Sequence, residues 1–161
     1  MGRVSRSVMF MDMARAASRR STCFRLNVGA IVTQGNNPIA VGWNGQEPGA
    51  PHCAGNGCPG IVPGRCGTIH AEVNALVKAS TLLGADRWHE GVDLYVTNSP
   101  CSGCMEFILE DTPLKVANIF YEVPYRDVSH LGHLKDKLNL YVVTPAGYIV
   151  EHFTRQVVEL P

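Results

Sequence analysis

The sequence predicts an α/β fold, a mixed β-sheet covered by helices on both faces. Three observations carry that prediction. Apolar residues recur at helical spacing near the N-terminus and again after His70, β-rich runs alternate with those segments, and the first two runs are close enough to form a hairpin. No internal repeat, low-complexity stretch or linker interrupts the pattern, so residues 1–161 are expected to form a single domain. A domain of this length buries about two-thirds of the surface its unfolded chain exposes.

The elements follow in order. From Ser5 to Arg20, Val8, Met9, Met13, Ala16 and Ala17 mark a helical face. "VGAIVT" (Val28 to Thr33) reads as a strand, "QGNNP" as a turn and "IAVGW" (Ile39 to Trp43) as the returning strand of a hairpin. Asn44 to Gly67 is a long loop with no periodicity. Helical spacing returns in "HAEVNALVKASTLL" (His70 to Leu83), and "VDLYVT" (Val92 to Thr97) is the third strand. "SPCSGC" leads into a helical "MEFILED", and "VANIFY" (Val116 to Tyr121) is the fourth strand. "DVSHLGHLKDKL" predicts a helix and "LYVVT" (Leu140 to Thr144) a fifth strand, while the tail "GYIVEHFTRQVVEL" has no decisive pattern.

Composition narrows the function. Fourteen basic and fourteen acidic side chains cancel, which argues against tight nucleic-acid binding and suits a small-molecule substrate. No apolar run approaches the roughly 20 residues of a membrane helix. The start, "MGRVSRSVMFMDMARAASRR", is too interrupted by Arg and Asp for a secretory signal. The chain is therefore read as cytoplasmic, a transit peptide being the alternative for its Arg- and Ser-rich start. Without an export signal, six cysteines point to metal binding or catalysis before disulfides.

Two segments carry chemistry: "HAE" (His70, Ala71, Glu72) and "PCSGC", with Cys101 and Cys104, each where a predicted helix begins. A three-residue spacing puts both thiols on one side of a helical turn. One imidazole and two thiolates make a three-ligand zinc site whose fourth tetrahedral position stays open, as a catalytic zinc needs. In mid-helix His70 and Glu72 would point apart by roughly 200°. At a first turn both can reach past the helix end, which sets a carboxylate beside the metal as a general acid–base. Taken alone, C-x-x-C also allows a redox pair, as the lesser reading, and His-x-Glu is usually a surface feature; the two together favour the metal site.

The pairing is the H-x-E…P-C-x-x-C signature of zinc nucleobase deaminases. "RSTCFRLNVGAIV", "GWNG", "PHC", "HAEVNAL", "YVTNSPCSGC" and "IFYEVPY" follow the order and approximate spacing found in deoxycytidylate deaminases. The resemblance spans about Arg20 to Tyr125. It implies the three-layer α/β/α cytidine deaminase fold with a five-stranded mixed sheet, and hydrolysis of dCMP to dUMP and ammonia. His70, Cys101 and Cys104 would hold the catalytic zinc, and zinc-activated hydroxide would attack C4 of cytosine while Glu72 moves protons. The Ala71 N–H and the Ser99 carbonyl would grip the base, and Asn44 would contact the sugar. Tyr121 and Tyr125 suit a ring packed near the base, with core packing the alternative reading for each. Arg25, Arg65 and Arg126 are candidates for the phosphate, and Asn74 is expected to cap structure or to touch ligand. The family often forms homo-oligomers, hexamers included, with dCTP activating and dTTP inhibiting.

Cys23, Cys53, Cys58 and Cys66 remain, and four thiols suit a closed structural zinc site. Phage and bacterial deoxycytidylate deaminases resemble this, with a second zinc anchored in the "STC" segment and ligands from the loop after "YNG"; here Trp43 replaces the tyrosine. Such a cross-link would anchor a loop too long to order itself. His52 is an alternative ligand, and buried unligated thiols are the alternative to the site. Two rivals stand beside dCMP deamination: another deaminase of the superfamily, acting on a nucleoside, a modified cytosine or tRNA adenosine, and a non-catalytic zinc-stabilised binding module.

Overall fold

The computed structural model describes residues 2–23, 25–53, 67–124 and 128–160. Its elements are α1 (Arg6–Ser18), the hairpin β1 (Gly29–Gln34) and β2 (Asn37–Trp43), α2 (Ala71–Leu83), β3 (Val92–Asn98), α3 (Ser102–Glu106), β4 (Val116–Val123), β5 (Asn139–Val143), β6 (Ile149–Glu151) and β7 (Val157–Val158). Among the described residues the sheet has seven strands in the order β2-β1-β3-β4-β5-β6-β7, two more than expected. The additions, β6 and β7, come from the tail, where strands this short leave little alternation to read. β3, β4 and β5 run parallel and the flanking pairs antiparallel, so the sheet is mixed as expected.

Alternating side chains divide the interior into two layers. Ile31, Tyr95, Phe120 and Val143 pack with Phe10, Met11 and Ala14 of α1, while Ala30, Val32, Leu94, Val96, Ile119 and Tyr121 pack with Ala75, Leu76 and Ala79 of α2 and Met105 of α3. Their immediate neighbours in sequence thus face opposite helices, the period-2 signature of a sheet covered on both sides. On the α1 face the rings of Tyr95 and Phe120 stack at 4.4 Å and those of Phe120 and Tyr141 at 5.0 Å. Contacts of this kind add about 0.5–1.5 kcal/mol beyond their buried area.

Three local expectations are corrected. α1 buries Phe10, Met11, Ala14 and Ala17 and leaves Met9 41% exposed, so its core face is rotated from the one expected. "DVSHLGHLKDKL" forms a 3-10 turn over Ser129–Leu134, inserting Leu131 and Leu134 into the core, in place of a regular helix. α3 ends after one α-helical turn and passes into a π-helical turn over Phe107–Asp111.

Two glycines let helices press onto the sheet. A Cβ on Gly29 would lie 2.0 Å from the Ala14 carbonyl oxygen, and one on Gly42 would lie 2.4 Å from that of Ala71. Glycine inside a strand often marks such a close backbone approach. The second contact seats the start of α2 against β2. No described helix is long and apolar enough to cross a membrane.

Candidate metal centre

His70 occupies the N-cap position of α2 and Cys101 that of α3. Both have extended backbones, and neither side chain caps its own helix. Each side chain can thereby reach past a helix end, which is why neighbours in a first turn can share one site. Cys104 follows inside α3, 3% exposed. His70 Nδ1 lies 3.1 Å from Cys104 Sγ and 3.5 Å from Cys101 Sγ, and the three donor atoms fall within 4.8 Å of one another.

These separations fit a metal. A tetrahedral zinc with ordinary Zn–N and Zn–S lengths holds its nitrogen and sulfur ligands about 3.5 Å apart. The proton chemistry points the same way. Hydrogen bonds from Cys104 and His70 hold the Cys101 thiol low, at about 3, whereas the bond to Cys101 followed by burial pushes Cys104 up. Two touching thiols ionise together only when a cation neutralises them. The donor set is that of a zinc site with one position left for a further ligand.

Glu72, in the first turn of α2, is 4% exposed. Burial raises the pKa of its carboxyl; hydrogen bonding to its own backbone and the charge of His70 act in the opposite direction. The adjacent Cys104 side chain pulls it down as well, more weakly. A buried carboxyl beside the donors, and outside the set of three, can take up and return protons.

Around this centre the expected substrate contacts are distributed unevenly. Ala71 is the first residue of α2, where a backbone N–H has no intrahelical partner. Ser99 is buried just beyond β3, and its N–H donates to the Val123 carbonyl at 2.9 Å. The Asn44 amide accepts from Val28 N at 2.8 Å and donates to the Leu26 carbonyl at 2.6 Å, leaving one N–H and one lone pair of its inventory. Tyr121 is a core residue, 1% exposed, whose hydroxyl meets His152 Nδ1 at 2.7 Å. Asn74 donates to the Trp43 carbonyl at 2.8 Å and ties α2 to β2. Arg25 is exposed. Tyr125, Arg126 and Arg65 lie outside the described residues.

The second cysteine group is only partly described, since Cys58 and Cys66 fall outside the described residues. Cys53 is buried and its sulfur accepts from Gln46 Nε2 at 3.3 Å; Cys23 is half-buried and His52 exposed. Among the described residues, Cys23, Cys53 and His52 do not gather into a group of three donors at metal-binding distance. The neck of the long loop is clear: Gly45 and Ile69 exchange both backbone hydrogen bonds, at 3.1 and 2.8 Å. Gln46 Nε2 donates to Thr68 Oγ1 at 3.1 Å, and Gln46 N donates to Thr22 Oγ1 at 3.3 Å.

Two contributors were missed in the sequence. Gly42 could have been found, since an isolated glycine in a strand run signals close approach. His130, whose Nε2 donates to the Pro100 carbonyl at 2.9 Å, carries no local signal.

Comparison with known proteins matches residues 5–120 to the cytidine and deoxycytidylate deaminase zinc-binding region. "ComE operon protein 2" of Bacillus subtilis is 36% identical over 142 residues, covering 88% of this chain and 72% of that protein. The deoxycytidylate deaminase of Mycobacterium phage D29 is 38% identical over 114 residues, covering 62% of this chain and 82% of the phage protein. Among solved structures, the dCMP deaminase of cyanophage S-TIM5 in complex with dCMP and dUMP superposes with a TM-score of 0.67. Its identity is 28%, over 84% of this chain and 94% of the phage chain.

Proposed function

Because the chain belongs to the cytidine and deoxycytidylate deaminase zinc-binding family, we propose that it hydrolyses dCMP to dUMP and ammonia. The observation that carries the proposal is the joining of His70 Nδ1, Cys101 Sγ and Cys104 Sγ with the buried, non-ligating Glu72. The dCMP specificity is supported by phage relatives that carry that activity in their names, one of them solved with dCMP and dUMP bound.

The three donors would hold zinc. When bound, zinc supplies the Lewis acid that makes water nucleophilic near neutral pH. The rest of the chemistry falls to this chain's own groups. Glu72 takes a proton from the attacking water and places it on N3 of the pyrimidine as the C4–O bond forms. It then moves the proton of the new hydroxyl to the amine, the C4–N bond breaks and ammonia leaves. Burial suits the carboxyl to this task, because it raises the pKa and so favours the protonated form that the carboxyl must pass through between the two transfers. The Ala71 N–H and the Ser99 carbonyl, close to the donors in sequence, would orient the base, with Asn44 toward the sugar. Arg25 and Arg126 remain candidates for the phosphate.

A reducing, cytoplasmic setting belongs to the same reading, because thiolate ligands must stay reduced. So do a second zinc on Cys23, Cys53, Cys58 and Cys66, a homo-oligomer, and regulation by dCTP and dTTP. The proposal is tested by ammonia release from dCMP, dCTP, deoxycytidine, cytidine and an adenosine-containing RNA. dCMP is expected to turn over fastest, and no turnover of dCMP sinks the proposal.

A further inference from the structure

We propose that His130 is a positioning residue of the metal centre: its hydrogen bond to the Pro100 carbonyl sets where Cys101 and Cys104 stand relative to His70. The contact is 2.9 Å long and joins residues 30 apart in sequence.

The link from β3 to α3 explains why this bond matters. β3 ends at Asn98 and α3 starts at Ser102, so Ser99, Pro100 and Cys101 form the whole connection. Ser99 is held through its N–H by the Val123 carbonyl, and Cys101 through its carbonyl, which accepts from Met105 N at 2.9 Å. Pro100, between them, has no N–H, so its carbonyl is the only backbone group by which it can be anchored. Pro100 is buried, and a buried carbonyl left unpaired is costly. His130 supplies the partner. The held carbonyl lies one peptide unit from the Cα of Cys101, so its position is passed directly to the first thiolate ligand.

The other end of the strut is fixed as well. His130 sits in the 3-10 turn Ser129–Leu134, and its neighbour Leu131 and the turn's last residue, Leu134, are fully buried in the core that includes Met105 and Ile108. A planar ring of fixed length therefore spans a core-anchored turn and the residue before a ligand. A carbonyl only accepts, so Nε2 must carry the proton. Both the Nε2–H tautomer and the imidazolium can donate, so the strut does not depend on the charge of the ring. His130 also lies beyond residues 5–120, the span that matches the family. This part of the metal centre's support is thus built by the C-terminal segment of this chain.

The inference rests on the zinc reading of the site and not on the choice of dCMP. The test compares the full-length protein with H130F, which keeps a ring and loses the donor; H130N, whose amide ends short of the Nε2 position; and H130Q, whose amide reaches it. Zinc transfer to a chromogenic chelator and the absorption bands of the cobalt-substituted protein report the metal geometry, and kcat and KM report its use. H130F and H130N should release zinc about tenfold faster, with altered cobalt bands, at the lower end of what loss of a supporting hydrogen bond costs a metal site. Their kcat should fall with KM little changed, and H130Q should recover most of both. If H130F does not fold, H130N against H130Q makes the same comparison. Wild-type release rates and spectra in H130N, or H130Q as impaired as H130N, overturn the inference. A wild-type protein that binds no zinc at this centre overturns the zinc reading as well, so that failure is told apart from a failure of His130 alone.

Discussion

Replacing Gly42 with alanine should disturb the metal centre without touching any of its donors. The added Cβ would stand 2.4 Å from the Ala71 carbonyl oxygen, 2.6 Å from Ala75 N and 2.9 Å from the Ala75 Cβ. Two of those atoms are backbone and cannot swing away, and ordinary contact begins at 3.4 Å. β2 and the first turn of α2 must therefore part by about 1 Å, since close-packed interiors transmit such a strain. Overpacking of this kind costs about 1–3 kcal/mol. For a chain of this length that lowers Tm by roughly 2–12 °C. Ala71 follows His70 directly, so the same movement carries the imidazole away from both sulfurs. A misplacement of about 1 Å in a catalytic group can cost a hundredfold in rate. Thermal melts, zinc content and ammonia release from dCMP read the three effects together. Gly132, whose added Cβ would meet nothing within 4 Å, is the control; G132A should stay within about 0.5 kcal/mol of wild type. If G42A melts and turns over like the wild type, the Gly42 contact does not seat the site.

Glu72→Gln should lower turnover by about 10²- to 10⁴-fold, the usual worth of a general acid–base, while zinc content stays unchanged; undiminished turnover would show that the proton moves elsewhere. Metal analysis of the purified protein should find about two zincs per chain, four thiolates making a closed site beside the three-donor one; a ratio of one removes the second site. Burial, followed by the charge of Arg155, depresses the pKa of His152 below its ordinary value against an opposing pull from Glu151. The unfolded chain therefore binds its proton first, and stability is full above about pH 6.5 and declines as pH falls below it. The denaturation midpoint should thus drop between pH 7.5 and 5.5 by more in the wild type than in H152Q; equal drops would show that His152 contributes nothing.

The metal donors were readable because their chemistry restricts residue type and their spacing is local. Cys101 and Cys104 share a turn, and Glu72 shares one with His70, so both short motifs announce themselves. What joins the two motifs is long-range and left no pattern. His130 meets Pro100 only because the 3-10 turn packs Leu131 and Leu134 into the core. The core strands were legible for a local reason too, since runs such as Leu94, Tyr95 and Val96 are apolar and rich in strand-forming residues. That Tyr95 faces one helix layer and its two neighbours the other emerges only from the packing. The face of α1 was not legible. Val8, Met9, Met13, Ala16 and Ala17 are as well spaced as Phe10, Met11, Ala14 and Ala17, and only packing against Ile31 and Tyr95 decides between them. Asn44 illustrates a further gap: an asparagine in a glycine-flanked loop looks available, yet much of its hydrogen-bonding capacity serves Leu26 and Val28.

The bridge between Gly45 and Ile69 separates two design problems that the chain would otherwise have to solve together. Chain beyond the bridge can lengthen, shorten or change composition, and each doubling of such a loop costs only about 0.6 kcal/mol in closure entropy. Along the chain, the paired hydrogen bonds of the bridge stand between such changes and His70, the next residue after Ile69. Loops of different length that keep Cys53, Cys58 and Cys66 should therefore leave the His70 donor in place so long as both bridge hydrogen bonds form.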